Sequence, residues 1–143
     1  MRSAICLGMV PFLFGWIGCR QAAPVVPRTE TYSVEANQSE LVAGEKRNVG
    51  ILVRYHRSDQ PAALLKYTVQ LSAPRALTVT PSSWDVQQNL TTKDAGFNYT
   101  GAAAIEVAED ATPGEVEVAA TITPAKGTPT TATLKFRVAG KGD

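Results

Sequence analysis

The stretch that decides the fold is Arg47-Asn48-Val49-Gly50-Ile51-Leu52-Val53-Arg54-Tyr55-His56-Arg57. Its apolar and polar side chains alternate, so that one face carries Val49, Ile51, Val53 and Tyr55. A period of two is typical of a β-strand with one buried face and one solvated face. Because the run alternates instead of being solidly apolar, it predicts a strand of an antiparallel sheet.

The same alternation recurs along the chain at the spacing of about 8–12 residues that β-sandwiches show. Runs near residues 31, 41, 65, 77, 84, 103, 116 and 134 are separated by turns rich in Pro, Gly, Asp and Ser. No segment has helical periodicity. The prediction is an all-β fold, an antiparallel two-sheet β-sandwich of about seven to eight strands. Residues 87–100 are polar and turn-rich, which predicts a long loop.

Composition and charge narrow the function. The chain has 143 residues with 14 Lys and Arg against 13 Asp and Glu. Thr, Val and Ala dominate, as in chains of short strands and turns. Only Arg2 of these charges lies before residue 19, so the rest of the chain balances at 13 against 13. No basic surface for a nucleic acid is predicted.

The N-terminus has the pattern of an export signal. A positive start is followed by an apolar run from Ala4 to Gly18, which ends at Cys19. As a helix the run would measure about 22 Å, short of the roughly 30 Å hydrocarbon core of a membrane. Ile17-Gly18-Cys19 resembles the processing site of bacterial lipoproteins, with Trp16 where leucine is usual. Ordinary secretion and an uncleaved anchor are the alternatives.

The lipoprotein resemblance implies that Cys19 becomes a lipidated N-terminus and holds the protein at a membrane. The other cysteine, Cys6, lies inside the signal, so no disulfide is predicted for the exported part. The predicted organisation is residues 1–18 as signal peptide, 19–29 as lipidated cysteine and flexible tether, 30–139 as sandwich and 140–143 as tail. Arg20 is not the aspartate that commonly retains lipoproteins at the inner membrane, which favours the outer membrane in a cell with two membranes.

A second resemblance concerns the strands. Several segments are similar to bacterial immunoglobulin-like or fibronectin-like modules, namely Leu41–Glu45, Val49–Val53, Leu77–Pro81, Ala111–Val118 and Ala132–Val138. In such modules a Pro-Gly turn precedes the next-to-last strand. The resemblance implies an immunoglobulin-like sandwich that acts as a spacer or a docking unit, and fold alone does not choose between these roles.

The sequence contains few residues in patterns typical of catalytic or metal-binding sites. His56 is the single histidine, and a hydrolase built on it with Asp59 and a serine lacks the Gly-x-Ser-x-Gly elbow. No catalytic residues, cofactor or metal site are predicted. Acidic residues cluster near the Pro-Gly turn without the spacing of a calcium loop, and a solvated acidic edge is the simpler interpretation. They are Glu106, Glu109, Asp110, Glu115 and Glu117.

The predicted function is a membrane-anchored envelope lipoprotein that serves as a non-catalytic structural or protein-interaction module. The alternative is a ligand-binding module in which Trp84, Phe97 and Tyr99 stack on a glycan or a peptide. For each of these aromatic residues, packing inside the domain is the favoured interpretation. A small hydrolase centred on His56 is the least favoured hypothesis. The expected partners are the membrane, through the lipid on Cys19, and an envelope protein or glycan.

Overall fold

Alternation of apolar and polar residues produces nine strands in a computed structural model that describes residues 29–142. The strands are β1 (Glu30–Ala36), β2 (Glu40–Val42), β3 (Lys46–Arg57), β4 (Ala63–Ser72), β5 (Leu77–Thr80), β6 (Ser83–Leu90), β7 (Gly96–Val107), β8 (Gly114–Pro124) and β9 (Thr130–Ala139). The expectations for the signal peptide, for Cys19 and for the tether up to residue 28 fall outside the described residues. Residues 29–142 contain no helix, and hence no helix capable of crossing a membrane.

The strands form two sheets, as the alternation predicted. One sheet has the order β1-β3-β7-β5, and the other has the order β2-β9-β8-β4-β6. All neighbours are antiparallel except β2 and β9, which run parallel. In immunoglobulin-like sandwiches, a four-stranded sheet packs against a second sheet that contains the last two strands of the domain. Here those last two strands are β8 and β9. The all-β, immunoglobulin-like sandwich is therefore confirmed.

The strand count is nine, one more than the upper prediction. The first part of the domain contributes to both sheets: β1 pairs with β3, and after a break at residues 37–39 the three-residue β2, at the run near residue 41, pairs with β9. Because the segment of β1 and β2 passes from one sheet to the other, it pairs with β3 in the first sheet and with β9 in the second.

The predicted inward faces meet between the sheets. Val49, Ile51 and Val53 of β3 are completely buried, and the facing strands contribute Val69, Val118 and Ile122 with at most 1% exposure. At about 1.5–3 kcal/mol for each large apolar side chain removed from water, this core offsets much of the conformational entropy lost on folding.

The prediction of a long loop at residues 87–100 is wrong. Strand β6 continues to Leu90 and strand β7 begins at Gly96, so that only residues 91–95 form the turn. The pattern was hidden because polar side chains occur on both faces of β6: Gln87 is exposed on the outer face, whereas Gln88 is half-buried on the inner face. Main-chain pairing with β4 over Ala63–Gln70 holds this polar strand in the sheet.

Candidate functional site

One end of the sandwich is built from aromatic side chains. The strand register places Tyr32 beside Tyr55, and Tyr55 beside Phe97, in a row across β1, β3 and β7. Tyr67 faces this row from the opposite sheet. The ring centroids of Tyr32 and Tyr55 are 5.1 Å apart, and those of Tyr32 and Tyr67 are 5.5 Å apart in an edge-on arrangement. Such geometries are favourable for aromatic pairs.

Tyr67 is a packing residue of this aromatic end. Only 3% of it is exposed, and its hydroxyl has no hydrogen-bond partner among residues 29–142. Burial raises the pKa of the Tyr67 phenol strongly, and the nearby Tyr32 and Tyr99 phenols raise it further. Tyr67 is therefore held in its neutral form, which suits ring packing and does not suit proton transfer near neutral pH.

A cleft of about 1070 Å³ opens beside the aromatic end. Its walls come from the first residues of β1, the end of β3, the start of β4 and the turn between β8 and β9. Tyr32, Tyr55 and Leu65 provide apolar lining, while Glu30 and Lys66 provide charge. The Tyr55 hydroxyl donates a hydrogen bond of 3.0 Å to the Glu30 carboxylate, which fixes both side chains. The cleft thus combines an apolar lining with a few oriented polar groups.

Leu64 is an exposed apolar side chain at this cleft. It lines the opening and is 49% exposed, the one large apolar side chain among residues 29–142 that is classed as exposed. The β4–β8 ladder ends at the pair of Tyr67 and Pro124, so β8 does not cover the β4 edge at Leu64. An apolar side chain and an uncovered strand edge therefore occur together.

Close to the cleft lies a buried arginine that sequence reasoning missed. Arg57, 1% exposed, donates hydrogen bonds to the main-chain oxygens of Asp94 (2.9 Å), Pro61 (2.6 Å) and Thr91 (2.7 Å). These carbonyls belong to the turn after β3 and to the β6–β7 turn. The guanidinium therefore ties two turns together with its fork of donors, which a lysine cannot reproduce.

The β6–β7 turn has its own internal support. The Asp94 carboxylate accepts hydrogen bonds from the main-chain N–H and the hydroxyl of Thr91. These bonds lower the pKa of Asp94, and the Arg57 charge lowers it further, whereas partial desolvation opposes the shift. Because the pKa of Asp94 is lower in the folded state than in the unfolded state, the ionised carboxylate stabilises the fold. This stabilisation is present above the unfolded-state pKa and is lost as the pH falls through the folded-state pKa.

Trp84 lies on the inner face of β6 and packs across the sandwich against β7. A Cβ atom added to Gly101 would lie only 3.0 Å from two carbons of the indole ring, so the missing side chain of this buried glycine makes room for the ring. The indole N–H is buried and has no hydrogen-bond partner within residues 29–142. Trp84 is therefore placed as a packing residue rather than as an exposed stacking platform.

Phe97 and Tyr99 belong to strand β7 and not to a loop. Both are half-buried and pack against the hydrophobic core. Phe97 joins the aromatic row, whereas Trp84 contacts the more distant Gly101. The structure therefore does not present the three predicted contact residues as one exposed aromatic surface.

The remaining candidates of the sequence are exposed or lie at the surface. His56 is exposed near the end of β3. Glu106 lies on β7, and Glu109 and Asp110 lie in the turn between β7 and β8. Glu115 and Glu117 lie on β8 and pair with Lys135 at 3.0 and 3.7 Å. Within residues 29–142, no three His, Cys, Asp or Glu side chains come together as a candidate metal site.

The outer edge of β6 is a further feature that the sequence did not reveal. Strand β6 ends its sheet, and no described strand pairs with its second edge. Along β6, the main-chain N–H and C=O groups of successive residues point alternately toward β4 and away from it. The hydrogen bond from Leu71 N–H to the Ser82 oxygen shows that the groups of Ser82, and so of the even-numbered residues of β6, point toward β4. It follows that Ser83, Asp85, Gln87 and Asn89 direct their main-chain groups away from β4.

Comparisons with known proteins find similar folds among solved structures but do not assign the chain to a family. No family model and no curated protein matches the chain. Among solved structures, the periplasmic chaperone SfaE is similar with a TM-score of 0.52 and 14% identity, over 78% of this chain and 58% of that protein. The chain thus spans somewhat more than half the length of this chaperone. At this identity the similarity shows a shared sandwich fold alone.

Two further similarities are weaker. CaCohA2 from Clostridium acetobutylicum has a TM-score of 0.30 and 13% identity, with coverage of 77% of this chain and 92% of that chain. A family 123 glycoside hydrolase from Clostridium perfringens has a TM-score of 0.41 and 13% identity, with coverage of 79% and 27%.

Proposed function

We propose that the protein is a membrane-anchored envelope lipoprotein whose β-sandwich is a non-catalytic protein-interaction module. The observation that carries the interaction role is the uncovered edge of β6. The anchor is proposed from the apolar run that ends at Cys19. The similarity to a periplasmic chaperone is compatible with an exported sandwich, at the level of the fold.

The β6 edge differs from the other three sheet edges of the described fold. Strands β2 and β5 have only three and four residues, and β1 carries two glutamates in seven residues. Strand β6 has eight residues, with Asp85 as its single charge and no proline. Proteins normally protect long edges with lysine, proline, bulges or a covering segment. A long edge without these protections is suited to pairing with an extended segment of another protein.

The direction of the main-chain groups supports this use. Gln87 and Asn89 are exposed and turn their N–H and C=O groups to the open edge, whereas Val86 and Leu90 use theirs to pair with β4 and bury their side chains. An added strand would therefore form main-chain hydrogen bonds without disturbing the existing sheet. Side chains of the added strand would lie beside Asp85, Gln87 and Asn89, a nearly neutral polar row.

The two other hypotheses have less support. Trp84, Phe97 and Tyr99 face the core, so a glycan-binding platform would require them to leave their packed positions. His56 lies on the exposed outer face, where the neighbouring Arg54 pairs with Glu35 at 2.9 Å. A catalytic histidine is ordinarily oriented by a hydrogen bond in a cleft, and the cleft at the aromatic end is not lined by His56.

The test of the interaction role is a photo-crosslinking residue at Asn89 in the full chain, used in intact bacterial cells. We expect a covalent adduct with an envelope protein. Adding Gln87→Pro should reduce this adduct about tenfold or more, because proline removes an edge N–H that β4 does not use. The matched variant Gln87→Ala keeps that N–H and should leave the adduct unchanged.

Two further measurements make the result interpretable. The thermal midpoints of the Gln87→Pro and Gln87→Ala proteins should agree within a few degrees, which separates edge blocking from unfolding. The crosslinking residue moved to Thr133, an exposed position on the outer face of β9, should give little adduct. An Asn89 adduct that is insensitive to Gln87→Pro, or no adduct at all, would count against β6 as the interaction edge.

A further inference from the structure

The open edge of β6 is complementary to a second copy of itself. Ser83, Asp85, Gln87 and Asn89 direct their main-chain groups away from β4, and all four side chains are exposed. Only every second residue of β6 can therefore bond to an added strand. A second β6 that runs antiparallel to the first offers the same spacing of donors and acceptors.

The single charge of β6 limits how the strand can pair with itself. In an antiparallel pair related by a two-fold axis, the residue at the axis lies opposite its own copy. An axis at Asp85 would place two carboxylates opposite each other, and an axis at Val86 would leave them diagonal neighbours, which is unfavourable for like charges. An axis at Gln87 places Asp85 opposite Asn89 and keeps the two Asp85 residues roughly 14 Å apart along the strands. The charge therefore favours an axis at Gln87.

Asp85 and Asn89 also match as hydrogen-bonding groups. The Asp85 Oδ1 accepts a 2.6 Å hydrogen bond from the Thr68 hydroxyl, whereas Oδ2 accepts none from residues 29–142. The Asn89 side-chain amide has donors that suit a carboxylate. The main-chain oxygen of Asn89 receives a long bond of 3.4 Å from the Gln88 side chain, and an N–H of an added strand could approach it more closely.

The inner side of the same pairing is apolar. With the axis at Gln87, Leu90 of the second copy lies opposite Trp84, which is half-buried in the single domain. The added strand would therefore cover part of the Trp84 side chain that is still exposed, which favours pairing through burial of apolar surface.

Building on the proposed use of the β6 edge, we propose that its partner is a second copy of this chain. The two β6 strands pair antiparallel about an axis at Gln87, so that two five-stranded sheets join into one. Main-chain hydrogen bonds form between Gln87 and its own copy, and between Asp85 of each copy and Asn89 of the other. Because both copies use the same edge, the contact closes at a dimer and does not extend into a fibre.

The test is disulfide trapping in the full chain, with Cys6 and Cys19 replaced by alanine and one cysteine introduced at a time. Gln87→Cys places two thiols opposite each other at a Cα separation of about 5.5 Å, which a disulfide can bridge. Mild oxidation should give a linked dimer. The matched control Thr133→Cys, on the exposed outer face of β9, should give at least about fivefold less.

The register is tested with two further cysteine positions. Asp85→Cys and Asn89→Cys should each give little dimer alone, because each thiol lies far from its own copy. An equal mixture of the two chains should give several-fold more dimer than either alone, since the two positions lie opposite each other. As much dimer from Asp85→Cys alone as from Gln87→Cys would overturn the axis at Gln87.

A charge exchange tests the pairing without moving the cysteine. In the Gln87→Cys chain, Asn89→Asp places carboxylates opposite each other twice and should lower the disulfide yield about fivefold. Adding Asp85→Asn moves the charge to position 89, opposite an amide again, and should restore the yield.

Failure of the second copy as partner can be told apart from failure of the β6 edge. A Gln87→Cys yield no higher than that of Thr133→Cys would overturn the dimer. An Asn89 photo-crosslink to a different envelope protein would then leave the interaction edge standing, whereas no adduct at all would count against the edge itself. An Asn89 adduct with twice the mass of the chain is the result expected for self-pairing.

Discussion

Replacing Arg57 by methionine is expected to lower the free energy of unfolding by about 3 kcal/mol. Methionine keeps much of the side-chain length but donates no hydrogen bonds. The carbonyls of Asp94, Pro61 and Thr91 would then lose the donors that now lie at 2.6–2.9 Å. Each polar group left unsatisfied in a buried place costs about 1–3 kcal/mol, and partial access of water to the two turns keeps the total below the sum. Urea unfolding measures the change.

Arg54→Met is the matched control for this experiment. Arg54 lies on the same strand but on the outer face, where it pairs with Glu35 and both side chains are at least half exposed. Exposed ion pairs contribute about 0–1 kcal/mol, so this variant should unfold near the wild-type urea concentration. Arg57→Lys should fall between the two, since an ammonium group reaches fewer of the carbonyls. Equal effects of Arg54→Met and Arg57→Met would show that Arg57 does not tie the two turns together.

Trp84→Ala is expected to lower the free energy of unfolding by about 2–3 kcal/mol. The ring fills the space above Gly101 between the sheets, and its removal leaves a cavity that rigid strands on both sides cannot close. The figure is below that of a fully buried tryptophan because Trp84 is half-buried. Trp84→Phe keeps an aromatic ring and should cost about 1 kcal/mol.

This prediction separates packing from ligand binding. A tryptophan that serves as a stacking platform could be removed with little loss of stability. If Trp84→Ala unfolds at the wild-type denaturant concentration, the packing role is wrong and the glycan-binding or peptide-binding hypothesis gains support. Gly101→Val provides the reciprocal test, because its added carbons would collide with the indole and should destabilise the fold as well.

The sequence predicted the β-sandwich because local alternation and burial agree in most strands. Val49, Ile51, Val53 and Tyr55 share one face in the sequence pattern, and all four are buried in the structure. The pattern failed at β6, where Gln88 faces inward and no clear apolar face exists. There the strand is maintained by main-chain pairing with β4, and this information lies in the partner strand rather than in the strand itself.

The candidate sites depended on contacts between distant parts of the chain. Arg57 continues the inward period of β3, but a charge at an inward position ordinarily argues against burial. It is buried because carbonyls from residues up to 37 positions away converge on it. The cleft likewise joins Glu30 to Leu64 and to the β8–β9 turn. Neither arrangement leaves a local pattern, whereas the exposed position of His56 followed directly from alternation.

The most direct test of an anchored interaction module is metabolic labelling with a radioactive fatty acid, followed by separation of membranes in a bacterial host. The wild-type chain should carry label and sediment with the membranes, Cys6→Ala should behave in the same way, and Cys19→Ala should lose the label and leave the lipid-anchored fraction. Cys19 is the single lipid attachment site in this proposal, so the loss should be nearly complete. A wild-type chain without label, or a Cys19→Ala chain that keeps it, would contradict the proposed anchor.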